Sequence, residues 1–140
     1  MVRDVKLIKK FILNRMKNDT TLTNLVSASN IYQDFPLDNT TYPMIYYRIV
    51  DDEPYPFNES DRSSNTTETI FSLEIDSEKD STSEIDSIEN RLFQLFNGIS
   101  YSDENILVWS CERSFYFSDR DEGAKLRKCV TQYTMRSSPK

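Results

Sequence analysis

The chain has no histidine. That removes the commonest general base near neutral pH and the commonest metal ligand. Glycine occurs twice, at Gly98 and Gly123, so there is no glycine-rich loop to cradle a phosphate. Cysteine also occurs twice, at Cys111 and Cys129, in neither a C-x-x-C pair nor a disulfide framework. Two reduced, buried thiols are expected, opposite or diagonal to each other in a C-terminal hairpin. No apolar run approaches the roughly 18–20 residues of a membrane-spanning helix. The N-terminal stretch has a helical period and no small-residue cleavage site, so it reads as a mature cytosolic start and not a signal peptide. Positive charge is in deficit: the net charge is −6 and the pI about 4.7. A nucleic-acid-binding module would carry a basic patch or stripe instead.

These absences leave little chemistry. A Ser or Cys nucleophile needs a base within reach, and histidine is not there to serve. Carboxylates are plentiful, but they fall on loops, a helix start and a strand face, where solvation explains them. Asp119, Asp121 and Glu122 lack the full spacing of an EF-hand loop. The expectation is a protein that is no enzyme and has no cofactor and no metal.

The 140 residues predict one domain, 1–140, with a core of its own. Its centre is Tyr42–Val50, in which Tyr46, Tyr47, Ile49 and Val50 favour a strand and Pro43 marks its start. Alternation puts Met44, Tyr46 and Val50 on one face and Ile45, Tyr47 and Ile49 on the other. A strand apolar on both sides needs a cover on both. Glu68–Asp76 alternates more cleanly, with Thr69, Phe71, Leu73 and Ile75 inward and Glu68, Glu74 and Asp76 outward. It should pair with the central strand and present an acidic outer face.

Helical spacing of Val5, Ile8, Ile12 and Met16 predicts a helix over 4–17, and the lysines give it a positive outer side suited to an acidic neighbour. A short helix over Leu22–Val26 follows, capped by Asp19, Thr20 or Thr21, and then a short strand over Ile31–Phe35. Ser81 and Glu84 have the spacing of a capping box for a helix over 81–97, with Gly98 just past its end. Ile106–Ser118 and Ala124–Arg136 predict a closing hairpin. Leu107, Trp109, Cys111, Phe115 and Phe117 share one parity there, and 136–140 is left as a polar tail. The fold class is therefore α+β: a mainly antiparallel sheet of four to five strands with two main helices on one face, in the order α-α-β-β-β-α-β-β.

Between the two long strands, residues 51–66 read as a long polar loop. It carries Asp52, Glu53 and Glu59 beside two aromatics, Tyr55 and Phe57, which have no periodic partner. A loop this long in a small domain is usually functional or disordered. The expectation is an arm that orders on a partner, making Asp52, Glu53, Tyr55, Phe57 and Glu59 candidate assembly residues.

The order of Leu22-Thr23-Asn24-Leu25-Val26, Ile31-Tyr32 and Tyr42-Pro43-Met44-Ile45-Tyr46-Tyr47-Arg48-Ile49-Val50, then Phe71–Asp76 and an amphipathic helix, resembles the tail-completion (tail-terminator, tail-to-head joining) proteins of long-tailed bacteriophages and prophages. The likeness covers most of residues 1–98. It implies a structural ring, usually a hexamer, at the head-proximal end of the tail tube. Such a ring stops tube growth and joins the tail to the neck. The implied partners are further copies of the chain, the tube protein and a neck or head-completion protein. The implied location is the tail–neck junction of a virion assembled in the host cytoplasm, with no membrane partner. DNA would pass through without sequence-specific binding, and the acidic strand face of Glu68, Glu74 and Asp76 would suit such a channel because like charge prevents sticking. The long polar loop departs from the usual pattern. The competing readings are another neck or tube component, which a tube subunit's open-ended polymerisation would reveal, and a small acidic enzyme or inhibitor, which a deep pocket with convergent polar groups would favour.

Overall fold

The computed structural model of the chain describes residues 5–34, 41–54 and 66–140. The helices are α1 (Val5–Lys17), α2 (Thr20–Leu25) and α3 (Ser83–Phe96), with a single 3₁₀ turn at Ala28–Asn30. The strands are β1 (Ile31–Gln33), β2 (Met44–Pro54), β3 (Thr67–Ser77), β4 (Tyr101–Ser102), β5 (Ile106–Asp121) and β6 (Leu126–Pro139). They form one sheet in the order β1-β2-β3-β6-β5-β4. Only β1 runs parallel to its neighbour; the other pairings are antiparallel. The expected pairing of the central strand with the 68–76 strand is present, with Ile45 opposite Ile75 and Tyr47 opposite Leu73.

All three helices cover one face. α1 buries Ile8, Phe11, Ile12 and Met16, and α3 buries Ile85, Ile88, Leu92, Leu95 and Phe96. Both sets follow the 3.6-residue period. They meet Ile45, Tyr47, Phe71, Leu73, Ile75, Tyr133 and Met135 from the sheet. Phe71 packs edge-on to Phe96 at 5.4 Å and stacks on Tyr133 at 5.6 Å.

Polar links tie the helices together. Asp19 caps α2, its carboxylate accepting from the Leu22 N–H at 2.8 Å. The same carboxylate takes a forked pair of bonds from Arg91 of α3, at 2.6 and 2.9 Å. Arg91 thereby holds the Asp19 carboxyl below the usual range. Gly98 ends α3 at φ +73°, a left-handed conformation that glycine adopts without strain, and its N–H donates to the Cys111 carbonyl.

Several boundaries differ from the sequence reading. β2 runs on through Asp51 to Pro54, so the first four residues of the supposed 51–66 loop are strand, while β3 starts at Thr67, just past its end. A register shift between Ile49 and Asp51 leaves Val50 exposed. β6 continues to Pro139, so the supposed tail at 136–140 is mostly sheet. β4 was not foreseen; two residues are too few to show a period. The capping box does not form: Thr82 stands at the cap position without a side-chain bond, and Glu84 instead accepts from the Ser77 hydroxyl at 2.7 Å.

The closing hairpin departs most. Register shifts fall between Val108 and Ser110 and between Arg113 and Phe115. Each inserted residue flips the side-chain parity that follows. Ile106, Val108 and Cys111 therefore face the core, while Trp109, Phe115 and Phe117 do not. The shifts and the turn also part the cysteines. Cys111 lies opposite Met135 and Cys129 opposite Ser118, several positions along the ladder, not across from each other. Both are free and buried, and burial pushes each thiol up to about 12.

Candidate assembly surface

Alternation along the strands puts a second set of side chains on the face away from the helices. By register these are Met44, Tyr46 and Arg48 of β2, then Glu68, Ile70, Ser72, Glu74 and Asp76 of β3. Next come Lys128, Val130, Gln132, Thr134 and Arg136 of β6, and Phe115, Phe117 and Asp119 of β5.

The three carboxylates expected on this face are there, and each meets a cation from an adjacent strand. Glu68 pairs with Arg136 at 3.2 Å, Glu74 with Arg48 at 3.6 Å and Asp76 with Lys128 at 3.5 Å. The face is thus a ladder of cross-strand ion pairs and not the bare acidic row the alternation suggested. Carboxylates are still in excess: Asp51, Glu53 and Asp119 add to the same side. Asp76 is almost fully buried, and burial raises its carboxyl above the usual range against the opposing pull of Lys128. Burial, then the hydrogen bond with Glu74, raises the Tyr46 phenol.

The expected loop residues divide. Asp52 lies opposite Thr69, whose hydroxyl donates to its carboxylate at 3.3 Å. Glu53 is exposed and stands directly opposite Glu68. Asp51 first, by hydrogen bond and charge, and then Glu68 raise the Glu53 carboxyl. Like charges directly across a ladder are destabilising. Tyr55, Phe57 and Glu59 lie outside the described residues.

The hairpin contributes residues that the sequence pattern grouped on one parity, with Tyr116 among them in the chain. Trp109, Phe115, Tyr116 and Phe117 are each about half exposed. Three aromatics in a row, Phe115-Tyr116-Phe117, must present apolar surface to both sides of a strand. That run was the available signal. Beyond the short pairing with β4 at Leu107 and Val108, β5 pairs among the described residues with β6 alone. Its edge is stopped in part where Asn97 Oδ1 accepts from the Arg113 N–H at 2.9 Å. Arg113 itself is drawn under α3, paired with Glu89 and stacked over Phe93 at 4.6 Å.

A groove of about 390 Å³ lies between α1 and β4, with Leu7, Phe11, Leu95, Tyr101 and Ile106 as its apolar lining. Beside Lys10, its ionic groups have structural duties: Asp103 accepts from the N–H groups of Asn105 and Ile106 and from Tyr101, the Arg15 Nε donates to the Leu95 carbonyl, and Asp19 holds Arg91. No cluster of His, Cys, Asp and Glu able to hold a metal occurs among the described residues.

No family model matches the sequence, and no curated protein matches it. Solved structures do. The fold is similar to that of a chain in the virion of a native gene transfer agent particle, with a TM-score of 0.68 at 12% identity over 91% of each chain. A second similar structure, of a protein whose name states no activity, has a TM-score of 0.58 at 8% identity over 99% of this chain and 97% of that one. At such identities the likeness is one of fold.

Proposed function

We propose that the chain is a structural component of a phage-like virion, and within that class a tail terminator. In this reading it forms a closed ring, a hexamer by analogy, at the head-proximal end of the tail tube, stops tube growth and joins the tail to the neck. One observation carries the proposal: the fold match to a gene transfer agent virion chain spans nearly the whole of both chains, with no large part of either left over. The residue pattern of Leu22–Asp76 agrees with it independently. The physical character of the surface also suits assembly. Half-exposed aromatics on β5 offer apolar area at a sheet edge. The ion-paired face with its surplus of carboxylates suits a channel that DNA slides past, with Glu68, Glu74 and Asp76 turned to the lumen. Asp52, Glu53, Tyr55, Phe57 and Glu59 would then sit at the boundary between copies or with the neck. The work is mechanical and needs no catalytic group.

The test is the mass of the native assembly of the purified chain, followed by its effect on growing tubes. A closed ring of fixed number that shortens tubes when added is the expected result. Open-ended polymers would make it a tube subunit, and a monomer at every concentration, with no effect on tubes, would end the reading. A Tyr55→Ser, Phe57→Ser double variant should keep the subunit's thermal stability and lose yield of joined particles.

A further inference from the structure

Two charged surfaces of the subunit are opposite in sign and lie on opposite faces of the sheet. α1 contains Lys6, Lys9, Lys10, Arg15 and Lys17 and no acid. Lys6, Lys10 and Lys17 are exposed and recur at helical spacing as one stripe. None of the α1 lysines has an ion-pair partner among the described residues. The helix dipole explains basic residues in the last turn, but it disfavours Lys6 in the first. On the other face of the sheet, at the end where Leu7 and Ile8 of α1 lie near Thr67, Asp51, Glu53 and Glu68 share the open side, with Arg136 paired to Glu68. The Glu53–Glu68 opposition is an unfavourable arrangement that an incoming cation would relieve. Within one subunit the two surfaces cannot meet, because α1 packs on the other side of the sheet.

We infer that the lysine stripe of α1 in one copy docks on the Asp51–Glu53 corner of a second copy, beside the Glu68 that the ring reading turns to the lumen. The contact joins two different patches, so it runs head to tail and generates a ring wherever the rotation closes. It deepens the ring reading above and rests on it. It also states how a chain with net charge −6 can associate with itself: the charge is segregated so that unlike patches meet.

The experiment is charge reversal on the full chain, read as native mass and as the protein concentration of half-assembly. Lys6→Glu with Lys10→Glu, and separately Asp51→Lys with Glu53→Lys, should each raise that concentration about tenfold or more, and raised salt should do the same to the wild type. Combining all four substitutions should restore assembly. All these positions are exposed, and an unchanged circular dichroism spectrum checks folding; Lys6→Gln with Lys10→Gln serves if a reversed variant fails it. A ring indifferent to both reversals overturns the contact and leaves the ring reading standing. Two disruptive reversals without rescue also overturn it, since the patches then meet something other than each other. Retention of duplex DNA by the wild type, lost in the α1 variant, would reassign the stripe to DNA. A monomeric wild type removes the ring reading first.

Discussion

The sheet has two faces built on different physics. Beneath the helices, Phe71, Leu73, Ile75, Tyr133 and Met135 are fully buried and touch α1 and α3 side chains in register with a helical period. On the open face the same strands carry Glu68–Arg136, Glu74–Arg48 and Asp76–Lys128, with Phe115 and Phe117 half exposed beside them. Burial of apolar area stabilises the first face in the isolated subunit. The second face buries Met44 and Tyr46 but gains less from its ion pairs, whose cations are partly exposed and which contribute at most about 1 kcal/mol each. It has what a surface needs for association: apolar rings set among charges that can exchange partners. A subunit arranged this way keeps its fold on one side and its specificity on the other.

Substitutions can sharpen or break that contrast. The largest effect is expected at Phe71→Ala, which opens a cavity among Phe96 and Tyr133 and should cost about 3–5 kcal/mol in denaturant unfolding. Phe117→Ala on the open face should cost well under about 1 kcal/mol while weakening assembly, as expected of an exposed position. Equal costs at the two sites would erase the distinction.

Next comes Asp19→Ala. It removes a helix cap and strands Arg91, and should destabilise by about 1–3 kcal/mol. The hydrogen bond from Arg91 lowers the Asp19 carboxyl in the folded state. Its stabilisation is therefore complete above the unfolded value of about 4 and is lost as pH falls through the lower folded value. The gap between wild type and variant should close on acidification, which chemical denaturation over a pH series would reveal.

Gly98→Ala should cost about 1 kcal/mol, from backbone strain alone, since no atom lies within 4 Å of an added Cβ. The smallest change is expected at Glu74→Gln, where the Arg48 partner is partly exposed: under about 1 kcal/mol, and less again in high salt. Alkylation gives a separate check on the buried face. Cys111 and Cys129 should resist iodoacetamide in the folded protein and react once it is denatured, because burial holds both as neutral thiols.

By itself the sequence determined the elements whose pattern is long and regular. Ile85, Ile88, Leu92, Leu95 and Phe96 mark α3 because a 3.6-residue stripe over more than three turns has no other reading. Phe71, Leu73 and Ile75 mark β3 for the matching reason at period two, and with them came the α+β class and the β2–β3 pairing. Tertiary structure alone decided what depends on contacts between distant residues. The register shifts in β5 arise from its fit against β6, so only the folded hairpin turns Phe115 and Phe117 outward and moves Cys111 away from Cys129. The ion-pair ladder needs three strands aligned, which no local pattern specifies. Glu84 left its capping box because Ser77, brought close by the end of β3, offered a shorter bond. The candidate surface was thus half visible. Its charges were plain in the alternation of β3, but their partners, and the opposite placement of the α1 lysines, follow from which side of the sheet the helices cover.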